Sequence, residues 1–173
     1  MRLTLVTPPA SFITLDEARS QCRVENDQEE NAVLERAIDA AISYLDGYRG
    51  ILRRCIVNQQ WRMDLARPCR TVRMPFPDIS DVTVTYPGTV PEPVPFDLCH
   101  DGLAVNFGHA PDRGVQILFT AGFGDVVEVP AAIKVAALML VDFFYNQRGG
   151  LSEGPGFPPE VDVMISPFKV WRV

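Results

Sequence analysis

The sequence predicts an α+β domain, and three observations predict it. Helical spacing of apolar residues occupies positions 14–47, short period-two runs between turn residues fill 55–121, and one apolar helical stretch runs from about 130 to 147. The composition permits a real core. With 173 residues, 47% hydrophobic and 22% charged, the chain can hide roughly 70% of its unfolded surface. The expected organisation is a single connected domain over 1–150, followed by a linker and arm over 151–173.

Residues 1–13, MRLTLVTPPASFI, read as an extended arm. Thr14 then opens a helix over 14–23. In TLDEA the Thr14 hydroxyl can accept from the Glu17 N–H, while the Glu17 carboxylate reaches back to Thr14, which is a capping box. A second helix is predicted over 27–47. Leu34, Ala37, Ile38, Ala41, Ile42 and Leu45 share one face. Glu29 and Glu30 suit the positive end of the helix dipole, and Gly47 or Gly50 can end it.

The period then changes. CIVNQQWRMDL, RTVRM, DVTVTY, PFDLC, LAVNF and VQILFT are β-type runs separated by proline, glycine and aspartate turns. In DVTVTY, Val82, Val84 and Tyr86 alternate with Thr83 and Thr85, as one dry and one wet face require. An inserted antiparallel β region over 55–121 follows.

The third helix, 130–147, poses a problem of cover. Between Ala131 and Tyr145 only Lys134 and Asp142 are charged. The stretch is too short and interrupted for a bilayer span, which needs about 20 mostly apolar residues. Lys134, Leu138 and Asp142 form one narrow stripe, since four residues advance about 40° around a helix. The rest is apolar all round, as in a helix covered on most sides. The two N-terminal helices are expected on one side, and the β region or an adjacent subunit on the other. Beyond it, GGLSEGPGFPPE is a glycine- and proline-rich linker, and VDVMISPFKVWRV closes the chain.

Charge is unevenly spread over a net −6. Residues 1–46 hold four basic and nine acidic groups, net −5; residues 47–74 hold seven arginines and one aspartate, net +6; residues 75–130 hold one basic and eight acidic groups, net −7. The net sign argues against nucleic-acid binding by bulk charge. Alternating blocks can pair one copy's acidic face with the next copy's basic face, or pair within the chain. No charged n-region followed by an apolar h-region opens the sequence, so reduced thiols in a cytoplasmic setting are the expectation.

Catalytic and metal chemistry find little support. Cys22, Cys55, Cys69 and Cys99 match no metal-binding spacing. Cys99, His100, Asp101 and His109 are the strongest metal candidates, but neighbours on a strand point to opposite faces. The carboxylate pairs Glu29/Glu30 and Asp97/Asp101 fall in a helix start and in turns. TAGFGD lacks the spacing of a phosphate-binding loop. No cofactor, metal or enzymatic activity is expected.

Two features invite partners. Arg49, Arg53, Arg54, Arg62, Arg67, Arg70 and Arg73, with Trp61 among them, could face phosphates or an acidic neighbour. Phe168 and Trp171 follow a linker, and they could fold back onto the core or serve as docking anchors.

Several patches together resemble a known family. TLDEARSQCRV is similar to its Leu-x-Glu-Ala-(Lys/Arg)-x-x-x-Arg-Val pattern, and MPFPDISDVTVTY to its Leu-Pro-x-x-Pro-Val-x-x-Val strand entry. FTAGFGDVVEVPAAIKVAALMLVDFFYNQRG resembles its Thr-Ala-Gly-Tyr-Gly…Val-Pro…Tyr-x-x-Arg signature, and MISPFKVWRV its terminal Leu-x-Pro-(Tyr/Phe)-(Lys/Arg)-x-Trp. Ile79 and Phe123 depart from the usual valine and tyrosine, and 87–112 carries no matching motif. The family is the head–tail connector, or adaptor, of long-tailed phages, prophages and gene transfer agents.

The resemblance implies a structural protein of a particle neck, assembled in the host bacterial cytoplasm. It implies a ring, a dodecamer, beneath the portal, carrying the stopper and then the tail, with DNA passing through the lumen without sequence-specific contact. It implies portal binding by Pro167, Phe168, Lys169, Val170, Trp171 and Arg172. The charge blocks then read as ring contacts, with Arg49, Arg53, Arg54 and Arg62 at the subunit interface. The alternative from another class is a small nucleic-acid-binding protein using the Arg49–Arg73 block. No membrane association is expected.

Overall fold

The computed structural model describes residues 1–99, 102–147 and 158–171. Its elements form an α+β chain with antiparallel sheets. They fall into two compact units: Met1–Ala10 with Arg54–Asp125, and Ser11–Arg53 with Val126–Val173.

The first unit is all β. Strands β1 (Arg2–Thr7), β2 (Gln59–Leu65), β3 (Thr71–Arg73), β4 (Ile79–Tyr86), β5 (Glu92–Pro93), β6 (Asp97–Cys99), β7 (Ala104–Asn106) and β8 (Val115–Ala121) pair antiparallel throughout. One sheet has the order β1-β2-β8-β4-β5, and a smaller one has β3-β7-β6. β8 has the expected alternation: Val115, Ile117, Phe119 and Ala121 are buried, and the residues between them are half-buried. Around these pack Met63, Phe76, Val84, Val105 and Phe107. Phe76 links two further rings, with centroids 5.2 Å from Trp61 and 6.4 Å from Phe119.

Two details refine the sequence reading. The arm over 1–13 is not free: Arg2–Thr7 is an edge strand on β2, with Leu3 opposite Met63. And the glycines of TAGFGD shape a turn. Gly122 has φ 151°, and a Cβ there would stand 2.6 Å from the backbone of Val57 and Asn58. Only glycine permits that approach.

The second unit is helical. Helix α1 (Leu15–Cys22) carries the full capping box at Thr14 and Glu17. Helix α2 (Gln28–Leu45) starts after Asp27 and buries Leu34, Ala37, Ile38, Ala41 and Leu45. It stops at Asp46, with Gly47 at φ 77° just beyond, where a left-handed residue ends a helix. Helix α3 (Ala131–Asn146) follows Pro130 at its N-cap position.

The C-terminal segment departs from the extended arm that the sequence suggests: Pro159–Ile165 forms helix α4, followed by a 3₁₀ turn over Ser166–Phe168. Val161 and Ile165 are fully buried, and α4 packs on α3, which also packs on α1 and α2. Three helices therefore cover α3. A seven-residue helix is too short to display a period in sequence, and the proline at its first position reads equally well as linker. Beyond that turn Lys169 is extended.

Among the described residues no helix is long and apolar enough to cross a membrane.

Candidate functional site

The turn after α2 builds the site. Ile51 N–H donates to the Tyr44 carbonyl at 2.8 Å, and Leu52 N–H donates to the Leu45 carbonyl at 3.3 Å. These bonds satisfy carbonyls that the helix end leaves open. The chain must fold tightly back to make them, and Gly50 permits it: a Cβ there would lie 2.2 Å from the Asp46 carbonyl oxygen. The turn consequently presents Arg49 and Arg53 at the C-terminal end of α2, where the helix dipole favours cations.

The tail returns to this turn. Val170 N–H donates to the Leu52 carbonyl at 3.0 Å, and the Lys169 ammonium pairs with the Asp162 carboxylate of α4. Together they enclose an open groove of about 710 Å³. Tyr44 and Ser43 of α2 form one wall, and Phe144 of α3 contributes a ring. Arg49, Gly50, Ile51 and Arg53 form the turn side, and Lys169, Val170 and Trp171 close it. Trp171 remains 79% exposed.

Two residue sets that the sequence treated separately thus meet. Arg49 and Arg53 share the groove with Lys169, Val170 and Trp171, whereas Pro167 and Phe168 lie in the preceding turn. Arg172 lies outside the described residues, as do His100 and Asp101 of the metal candidate. Among the described residues no group of three His, Cys, Asp or Glu side chains could hold a metal ion. Tyr44, Ile51 and Phe144 were missed as site residues. Each reads as ordinary helix or turn composition, and only the return of the chain joins them.

The other two candidate interface arginines belong to the sheet unit and are engaged there. Arg54 pairs with Asp78 and lies 4.2 Å over the Phe123 ring, its side chain only 13% exposed. Arg62 sits 3.4 Å from Asp64 on the same strand. The side chains of Arg49 and Arg53, by contrast, have no hydrogen bond or ion pair among the described residues.

A second charged feature lies at the other end of α2. Glu25, Asp27 and Glu29 are exposed, and their carboxylates likewise have no partner among the described residues. Glu17, on α1, differs. The Thr14 backbone N–H and hydroxyl each donate to it at 2.7 Å and hold its carboxyl below the usual range.

Residues 12–65 match the family model described as phage gp6-like head-tail connector protein. No curated protein matches the sequence. Three solved structures share the fold at close to full length, each match covering 100% of this chain and 97% of the other. A chain in the neck of an empty gene transfer agent particle, computed with C6 symmetry, superposes with a TM-score of 0.82 at 22% identity. A chain in the neck of the native particle, computed with C12 symmetry, gives 0.73 at 20%. One in the virion of the native particle gives 0.74 at 21%.

Proposed function

We propose, taking the match of residues 12–65 to the head-tail connector family as the premise, that this chain is a structural connector in the neck of a phage-like particle of the gene transfer agent kind. One observation carries the reading: a connector-family segment lies inside a chain whose fold runs at close to full length with that of chains from such necks. In this reading copies form a ring, a dodecamer, between the portal and the stopper and tail, and DNA passes through its lumen. The necks to which the fold is similar were computed with C12 and C6 symmetry, as a closed head-to-tail ring requires.

The portal is engaged by Pro167, Phe168, Lys169, Val170, Trp171 and Arg172. Trp171 is the anchor. A large aromatic exposed over most of its surface is costly to leave in water and apt to lead an interface. The nucleic-acid alternative loses ground, because Arg54 and Arg62 of its basic block face carboxylates within the chain.

The test is co-sedimentation with the portal encoded near the gene. The full chain should pellet with the portal, and Trp171→Ala should remain in the supernatant. A version ending at Ser166 should behave like Trp171→Ala, since it keeps Val161 and Ile165 and hence the buried side of α4. If the full chain fails to pellet, the connector reading is wrong; if Trp171→Ala pellets normally, the anchor is wrong.

A further inference from the structure

Two sets of charges without partners among the described residues stand at opposite ends of one rigid element. Arg49 and Arg53 flank the groove beyond the C-terminal end of α2. Glu25, Asp27 and Glu29 surround its N-terminal start. Eighteen helical residues hold the two sets about 27 Å apart. That distance is well beyond an ion pair, and α2 cannot bend to close it. Among the described residues these charges stay unmatched.

We infer that the groove at Arg49 and Arg53 receives the acidic α1–α2 turn of a second copy, with Glu25, Asp27 and Glu29 facing the two guanidinium groups. This rests on the ring reading above and names the surfaces that make the ring. The charges are complementary: among the described residues, two cations without partners line a concave, aromatic-walled site, and three carboxylates without partners stand on the exposed α1–α2 turn, outnumbering its one arginine, Arg23. The contact joins unlike surfaces, so each copy offers one of each, and repetition generates a chain that closes when the rotation allows. Guanidinium is suited to the role because it is weakly hydrated and presents a planar fork to carboxylates. Arg54 and Arg62 take no part, since both already face carboxylates of the sheet unit.

The helix dipole also favours these signs at these ends, so loss of stability in a variant would not discriminate. Self-association does, and it needs no portal. Sedimentation velocity of the full chain should show mass rising with protein concentration at about 10 mM salt, where charges act over about 30 Å, and falling back at about 1 M, where they act over about 3 Å. Arg49→Glu with Arg53→Glu, or Asp27→Arg with Glu29→Arg, should each weaken association about tenfold or more. The chain carrying all four reversals should recover it, because every contact then pairs the reversed groove with the reversed turn. Circular dichroism confirms that each variant is folded. Absence of salt-sensitive association in the unaltered chain would overturn the inference, as would a four-reversal chain no better than its parents. Failure to pellet with the portal would instead strike the connector reading.

Discussion

Arg53 and Arg54 are neighbours in sequence and opposites in use. Arg54 lies in the sheet unit, paired with Asp78 and laid over Phe123. Arg53 lies in the helical unit, exposed, in a left-handed turn with φ 53°, its side chain without a partner among the described residues. The sheet unit pairs some of its arginines with its own side chains, Arg113 with Glu92 and over Tyr86 and Arg62 near Asp64, while Arg67 and Arg70 of the same unit stand exposed. The helical unit leaves both ends of α2 charged and open. A basic block in a sequence is thus not one feature. Arg54 and Arg62 of this one face carboxylates of their own unit, and the other five arginines are exposed.

Substitutions in the two cores should do the most damage and test whether α4 belongs to the fold. Phe119→Ala, at the centre of β8, should cost about 3–5 kcal/mol in chemical denaturation. Ile165→Ala should cost about 2–5 kcal/mol, as befits a core residue. A cost below about 0.5 kcal/mol would return α4 to the status of an arm.

The arginine pair sharpens the contrast directly. Arg54→Ala leaves Asp78 without its partner and Phe123 without its cover, and should cost about 1–2 kcal/mol. Arg53→Ala should change stability by less than about 0.5 kcal/mol. Equal costs would erase the distinction drawn here.

Smaller effects follow at the start of α1. Thr14→Ala removes the cap and should cost about 1 kcal/mol. The Glu17 carboxyl is held below its ordinary range in the folded chain, so its contribution is present above that range and lost as pH falls through it and beyond. In Glu17→Gln that part of the acid destabilisation should disappear from a pH series of melting curves. Smallest of all, Trp171→Ala should leave the melting temperature within about a degree or two. Its proposed effect is on portal binding.

The sequence alone determined the elements whose causes are local. The capping box at Thr14 and Glu17 marks α1 within a residue, the shared apolar face marks α2, and the alternation in Val82, Val84 and Tyr86 marks β4. These signals lie within four residues of what they govern, so they can be read without a partner. The family resemblance was legible too, because its motifs are turns, caps and helix starts. Tertiary structure decided what depends on distant chain. Arg2–Thr7 becomes a strand only because β2 offers an edge. Residues 159–165 become a helix with a purpose only because α3 presents an apolar side. The groove exists because Gly50 turns the chain after α2 and Val170 bonds back to Leu52, residues more than a hundred positions apart. Which arginine meets a carboxylate follows from those long-range placements, since an ion pair is a matter of a few ångströms in space and carries no trace in spacing along the chain.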